Sequence, residues 1–183
     1  RLDLAGDPAL EIDRRIVDPQ TLADLPDGQM GEIWVRGYCV TDGYHRAPEK
    51  TAEALTPDGW LRTGDLYIRQ PDGSLLFKGR LKDMLKVGGE NVAAIEVEAF
   101  LCSHPAVRLA EVVGKPHPDL DEVPVAFVEL HPGQSATAED IIAFCRGRIA
   151  RYKIPVEVRF VEPDAWPMSA TKVNKRALRA MLA

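Results

Sequence analysis

A two-part α+β fold is what this sequence predicts: a small antiparallel β-barrel-like subdomain over residues 1–80, then a compact α+β domain over 81–183 with a three-stranded sheet and flanking helices. Three observations lead there. The tripeptide Pro-Asp-Gly occurs at 26–28, 57–59 and 71–73, each copy joining a proline of preset φ, an aspartate that can accept from the backbone and a glycine that tolerates positive φ. Each should reverse the chain. After Gly79 the pattern of short strands and turns gives way to alternating helical and strand periodicities. Finally, 45% of the 183 residues are hydrophobic, enough to build a buried core.

The elements follow in order. Arg15-Ile16-Val17, Glu32-Ile33-Trp34-Val35-Arg36 and Ser74-Leu75-Leu76-Phe77 are rich in β-branched, aromatic or other apolar residues at strand length. Pro48 to Leu55 reads as a short helix with proline in its first turn. Beyond Gly79, Ile95, Val97, Phe100 and Leu101 form a helical stripe ended by His104-Pro105. Strands are predicted at 110–113, 123–130 and 156–161. Thr137 supplies an N-cap hydroxyl ahead of Glu139 and Asp140 for a helix running towards Tyr152, and Lys175–Leu182 forms the last helix. The change of pattern sets the domain boundary at about residues 80–82.

Composition narrows the function. Twenty-eight acidic against 23 basic side chains leave a net charge of −5, which argues against a nucleic-acid-binding surface. No apolar run approaches the roughly 20 residues of a membrane-spanning helix, and no signal segment opens the chain, so a cytoplasmic setting is the default. Cys39, Cys102 and Cys145 are odd in number, far apart and without metal-ligand spacing, as expected of free thiols. No metal site is assigned. The chain begins at Arg1 rather than methionine, which favours a fragment, a processed product or an expression product over a complete natural protein.

Three strings carry the chemistry. Gly59-Trp60-Leu61-Arg62-Thr63-Gly64-Asp65-Leu66 places a carboxylate after a glycine that lets a ligand approach the backbone. Phe77 to Val92 packs Arg80, Lys82, Asp83 and Lys86 ahead of Gly88-Gly89. Pro167-Met168-Ser169-Ala170-Thr171-Lys172-Val173-Asn174-Lys175 ends in two lysines three apart. Standing alone, each has a plain reading: a capped turn at Asp65, a surface salt bridge at Arg80, a tight turn at Gly88-Gly89 and the basic start of a helix at Lys172 and Lys175.

In this order and spacing the strings resemble the late core motifs of the adenylate-forming superfamily, which includes acyl-CoA synthetases, luciferases and the adenylation domains of peptide synthetases. The likeness runs from Arg15 to Leu178. It implies that Asp65 accepts hydrogen bonds from the ribose diol of ATP, a task suited to an acceptor-only carboxylate. Arg80 would approach the ribose and α-phosphate with its guanidinium fork, and Lys82 would be the hinge of a mobile cap domain. Lys86 would serve the thioester step, and Gly88 and Gly89 would line the path of coenzyme A. Lys172 would be the adenylation lysine, stabilising the meeting of carboxylate and α-phosphate. The superfamily's glycine before that lysine is absent here, so Lys175 competes for the role.

The resemblance thus implies the C-terminal portion of an acyl-CoA synthetase, using ATP, Mg2+ and coenzyme A to activate a fatty or other hydrophobic carboxylic acid, and inactive without the N-terminal region that carries the phosphate loop and acyl pocket. Two alternatives stand beside it. One is an adenylation enzyme that loads a carrier protein; the other is a non-catalytic interaction module that keeps the fold.

Overall fold

The computed structural model describes residues 12–182. The chain divides between Lys82 and Asp83 into two compact units.

The first unit is an open sheet of four antiparallel strands in sequence order: β1 (Ile12–Val17), β2 (Met30–Gly37), β3 (Leu61–Arg69) and β4 (Leu75–Arg80). It does not close into a barrel. Alternation of side chains gives the sheet two apolar faces. Ile16, Ile33 and Leu75 pack on one; Val17, Trp34 and Trp60 pack on the other. The second face carries a ladder of alternating cations and rings: Arg15 lies 4.7 Å from the Trp34 ring and 4.5 Å from that of Trp60, Arg62 covers Trp34 at 4.9 Å, and Arg36 covers Trp60 at 4.6 Å. Such contacts suit guanidinium groups, whose flat faces are weakly hydrated.

All three Pro-Asp-Gly turns form, with their glycines at φ 86°, 85° and 83°. The predicted helix also forms, as α1 (Pro48–Ala54) with proline in its first turn. β3 was not among the predicted strands, because Thr63-Gly64-Asp65 interrupts its alternation with a bulge.

The second unit is built on a five-stranded sheet: β5 (Met84–Val87), β6 (Glu90–Ala93), β7 (Val107–His117), β8 (Asp121–Leu130) and β9 (Glu157–Phe160). Its order is β6-β5-β8-β7, with β9 pairing parallel to β8. The three predicted strands are β7, β8 and β9. The additional β5–β6 hairpin is short and charged, so its sequence announces only the Gly-Gly turn.

β8 is buried on both faces, which explains the nearly unbroken run Val123-Pro124-Val125-Ala126-Phe127-Val128. Ala126 and Val128 pack with α2 (Ala94–Leu101) and α3 (Ala138–Cys145), where Val97, Leu101, Ile141 and Cys145 are at most 1% exposed. Each such large aliphatic side chain contributes about 1.5–3 kcal/mol by leaving water. Val125 and Phe127 pack on the opposite face with Trp166 and with Leu178 of α4 (Lys175–Ala180). Burial pushes the Cys145 thiol up, and Cys39 and Cys102 are free and exposed.

Thr137 caps α3 as predicted, accepting from the Asp140 backbone N–H while the Asp140 carboxylate accepts from that of Thr137. The helix ends at Cys145 rather than near Tyr152. Arg146 turns extended at ψ 127° and Gly147 takes φ 73°, a left-handed step that stops a helix despite the apolar spacing continuing to Ile149. The basic residues beyond it disperse: Arg146 pairs with Glu139 at 2.9 Å, Arg148 covers Phe144 and Lys153 reaches Glu96 at 2.6 Å.

Candidate nucleotide site and the two lysine hairpins

In the first unit, register pairs Glu32 with Leu66 and Trp34 with Arg62, so Thr63, Gly64 and Asp65 together face the single residue Ile33. This bulge leaves backbone groups without their ladder partners, and side chains supply replacements. The Thr63 hydroxyl donates to the Ile33 carbonyl at 2.7 Å and accepts from the Asp65 N–H at 3.1 Å. The Gly64 N–H donates to Oε1 of Glu32 at 2.7 Å. Gly64 itself sits at φ 71° with open space where a Cβ would point, so the conformation, not crowding, calls for glycine.

The bulge brings Asp65 directly across from Arg80 on β4. Arg80 Nε lies 2.9 Å from Asp65 Oδ1, yet that buried oxygen receives no hydrogen bond. Distance and alignment disagree here, and alignment decides hydrogen bonding. Asp65 therefore has a nearby counter-charge and an acceptor still unused. Thr63, Gly64, Arg80, Leu81 and Lys82 line a cavity of about 370 Å³. An unsatisfied carboxylate oxygen beside a guanidinium fits a vicinal diol attached to a phosphate, which brings both hydroxyl donors and negative charge. Lys82 is exposed in a 3-10 turn over Leu81–Asp83.

The other predicted residues lie in the second unit on two hairpins. Lys86 is exposed on β5, facing Asn91 in register, and Val87 pairs with Glu90 across a two-residue loop. Gly88 and Gly89 fill that loop at φ 58° and 85°, so the turn alone requires both glycines. The Gly88 N–H donates to the Leu120 carbonyl, and the Lys86 N–H to Glu122 Oε2, fixing the hairpin to the β7–β8 turn.

Lys172 opens β11 (Lys172–Val173), which pairs with β10 (Met168–Ser169) across Ala170-Thr171. Ala170 stands at φ 54°, which costs a residue bearing a Cβ about 1–2 kcal/mol. Lys172 is exposed, and among the described residues its ammonium has no hydrogen bond or ion pair. Lys175 differs. Its side chain is 17% exposed and it lies 2.5 Å from Glu98 and 3.4 Å from Glu111. Burial, and then the neighbouring Glu98, push the Glu111 carboxyl up. Lys175 thus ties the start of α4 to α2 and β7.

Sequence reasoning missed Glu32, and a glutamate two residues from a tryptophan in a predicted strand was the available signal. It also missed Glu98, whose partner Lys175 is 77 positions away. Among the described residues no cluster of three or more His, Cys, Asp or Glu side chains could hold a metal, and no helix is long and apolar enough to cross a membrane.

Residues 96–172 match the family model of the AMP-binding enzyme C-terminal domain. Over 170 residues the chain is 43% identical to the 2-methylpropanoate–CoA ligase CCL4 of Humulus lupulus, covering 91% of this chain and 30% of that one. The ATP-bound structure of MatB from Rhodopseudomonas palustris superposes with a TM-score of 0.89 at 34% identity, over 98% of this chain and 35% of that one. The amide bond synthetase McbA from Marinactinospora thermotolerans gives 0.88 at 37%, over 100% and 37%. This chain belongs to the adenylate-forming, AMP-binding enzymes. It spans about a third of the length of the curated relatives it matches, and within the class it corresponds to the C-terminal portion of an acyl-CoA-synthetase-like enzyme.

Proposed function

We propose that the chain works as the C-terminal part of an AMP-forming acid–thiol ligase acting on a fatty or other hydrophobic carboxylic acid. The acid's carboxylate attacks the α-phosphate of ATP, giving acyl-adenylate and pyrophosphate. The thiol of coenzyme A then attacks the acyl carbon, giving the thioester and releasing AMP. The observation that carries this reading is the unsatisfied Oδ1 of Asp65 held 2.9 Å from Arg80, a residue that lines the neighbouring cavity.

Asp65 takes the ribose hydroxyls and Arg80 the ribose and α-phosphate. Lys172 supplies the positive charge of the first step, because it is the lysine of its pair without a carboxylate partner. Lys86 and the Gly88-Gly89 turn serve the second step. Lys82 is the pivot that lets one cap domain present the two hairpins in turn. Mg2+ would arrive with ATP and be held chiefly by its phosphates, as is usual for this ion. The N-terminal region of the enzyme supplies the phosphate loop and acyl pocket, and the setting is cytoplasmic.

Paired single-turnover assays on the enzyme that contains this chain test the assignment. Lys172→Ala should cripple adenylate formation and spare thioester formation from added acyl-adenylate; Lys86→Ala should do the reverse. A defect in adenylation from Lys175→Ala at full stability, with Lys172→Ala silent, would reject the placement. Lys82→Pro, which fixes φ and removes a donor, should preserve one half-reaction and abolish the other. The 183-residue chain alone should exchange no pyrophosphate into ATP.

A second reading is favoured by the likeness to McbA: the acyl group passes to an amine instead of a thiol. Offering the acyl-adenylate coenzyme A or an amine in parallel separates the two.

A further inference from the structure

Glu32 is 6% exposed, and among the described residues it has no ion-pair partner. Burying a carboxylate without a counter-charge is costly unless its oxygens are well served by donors. Both are in use: Oε1 accepts from the Gly64 N–H at 2.7 Å, and Oε2 from the indole Nε1–H of Trp34 at 2.8 Å. These are neutral donors, one from the bulge that carries Asp65 and the other from the buried ring beneath Arg15 and Arg62.

An ionised carboxylate presents acceptors and no donor at either end. A glutamine of the same shape turns its NH₂ towards one of the two N–H groups. The Gly64 amide has lost its ladder position to the bulge, so the Thr63–Gly64 peptide takes its orientation from Glu32, while the Asp65 N–H of the next peptide is held by the Thr63 hydroxyl. Together these two contacts set the backbone that carries Asp65, whose Oδ1 lies beside Arg80 without a hydrogen bond.

We propose that Glu32 is a positioning residue of the nucleotide corner, holding the Gly64 peptide against the buried Trp34 indole so that the bulge keeps the Asp65 carboxylate beside Arg80 with one acceptor unused. The role rests on the reading of Asp65 as a nucleotide ligand. It gives Glu32 a purpose beyond packing: Oε2 serves the buried indole, Oε1 holds the bulge, and the bulge carries Asp65.

The test uses the 183-residue chain and amide hydrogen exchange followed by NMR, with AMP titrated as the probe. Glu32→Gln should accelerate exchange at the Gly64 amide about tenfold or more, the loss expected for one charge-assisted hydrogen bond, with the rise confined to residues 63–65. Trp34→Phe should leave that amide within about twofold, since Oε1 is unchanged. The double variant Glu32→Gln/Trp34→Phe should return it to within about threefold of wild type, because the carboxamide oxygen can then face Gly64 without turning NH₂ on an indole donor. AMP should shift the Gly64 and Asp65 amides of the wild type, less so those of Glu32→Gln, and again those of the double variant.

Asp65→Asn should abolish the AMP shifts while leaving Gly64 exchange as it was. Unchanged Gly64 exchange in Glu32→Gln, a uniform rise across all of β1–β3, or a double variant no better than the single one would overturn the positioning role. If AMP moved no amide of the wild-type chain, the nucleotide reading of Asp65 would fall by itself, and the exchange series would still decide whether Glu32 holds the corner.

Discussion

Each unit buries one glutamate against one tryptophan, and the two pairs are completed differently. In the second unit Glu129, 2% exposed, accepts from the Trp166 indole at 2.7 Å and forms a two-pronged ion pair with Arg108. The Arg108 guanidinium, aided by the indole, holds its carboxyl below the usual carboxylate range. In the first unit Glu32 takes the Trp34 indole and, in place of an arginine, a backbone amide from a bulge. The saturated pair joins β8 to the segment before β10 and is a fixture of the fold. The pair lacking a counter-charge spends its second oxygen on the local geometry of a candidate site. The two lysines near the chain end repeat the contrast, with Lys175 enclosed by carboxylates and Lys172 exposed. Complete partners go with structural roles here, and the incompletely partnered Asp65 and Lys172 are the groups proposed for the chemistry.

The sharpest way to break that contrast is to exchange the roles of the lysines. Lys172→Ala should lower the adenylation rate of the containing enzyme by about 10²–10³-fold, the effect of removing one preorganised transition-state charge, with the melting temperature unmoved; Lys175→Ala should instead lower the melting temperature. Asp65→Asn should cost about 10–100-fold in kcat/KM for ATP, the scale of one hydrogen bond to a charged group, whereas Glu129→Gln should leave kcat/KM alone and destabilise the second unit.

A smaller effect is expected from Trp166→Phe. It strips a buried acceptor of one donor and should cost about 1–3 kcal/mol in a urea titration. Acid adds a further check. Because the folded state depresses the Glu129 carboxyl, its contribution is complete above the ordinary glutamate pKa of about 4.3 and drains away as pH falls through the lower folded value. Unfolding midpoints measured downward from pH 5 should therefore drop, and the drop should be smaller in Glu129→Gln. Last in size, Ala170→Gly should stabilise the β10–β11 hairpin by roughly 1 kcal/mol by relieving a left-handed alanine; no gain in melting temperature would mean that the strain is already offset.

Much of the frame was legible because its signals are local. Pro-Asp-Gly carries its own geometry, Thr137 and Asp140 cap each other three residues apart, and Pro48 opens a helix wherever it stands. What escaped depends on distant partners. β3 was hidden because its bulge is stabilised by Glu32 from another strand. The end of α3 was misplaced because the apolar spacing through Ile149 persisted while Gly147 had already turned the backbone. For the candidate site, residue types were readable from the motif strings. Their states were not: that Asp65 keeps a spare acceptor, or that Lys175 is occupied by Glu98, follows only once the strands bring these residues together.

The placement of the indoles has an optical consequence. The chain has three tryptophans; Trp34 and Trp60 are stacked with arginines in the first unit, and Trp166 is held by Glu129 in the second. Emission from a Trp166→Phe protein therefore reports the first unit alone, and the difference from wild type reports the second. Without any attached dye, the two halves can be watched melting separately, and a ligand that steadies only one of them would be recognised by which part of the fluorescence it delays.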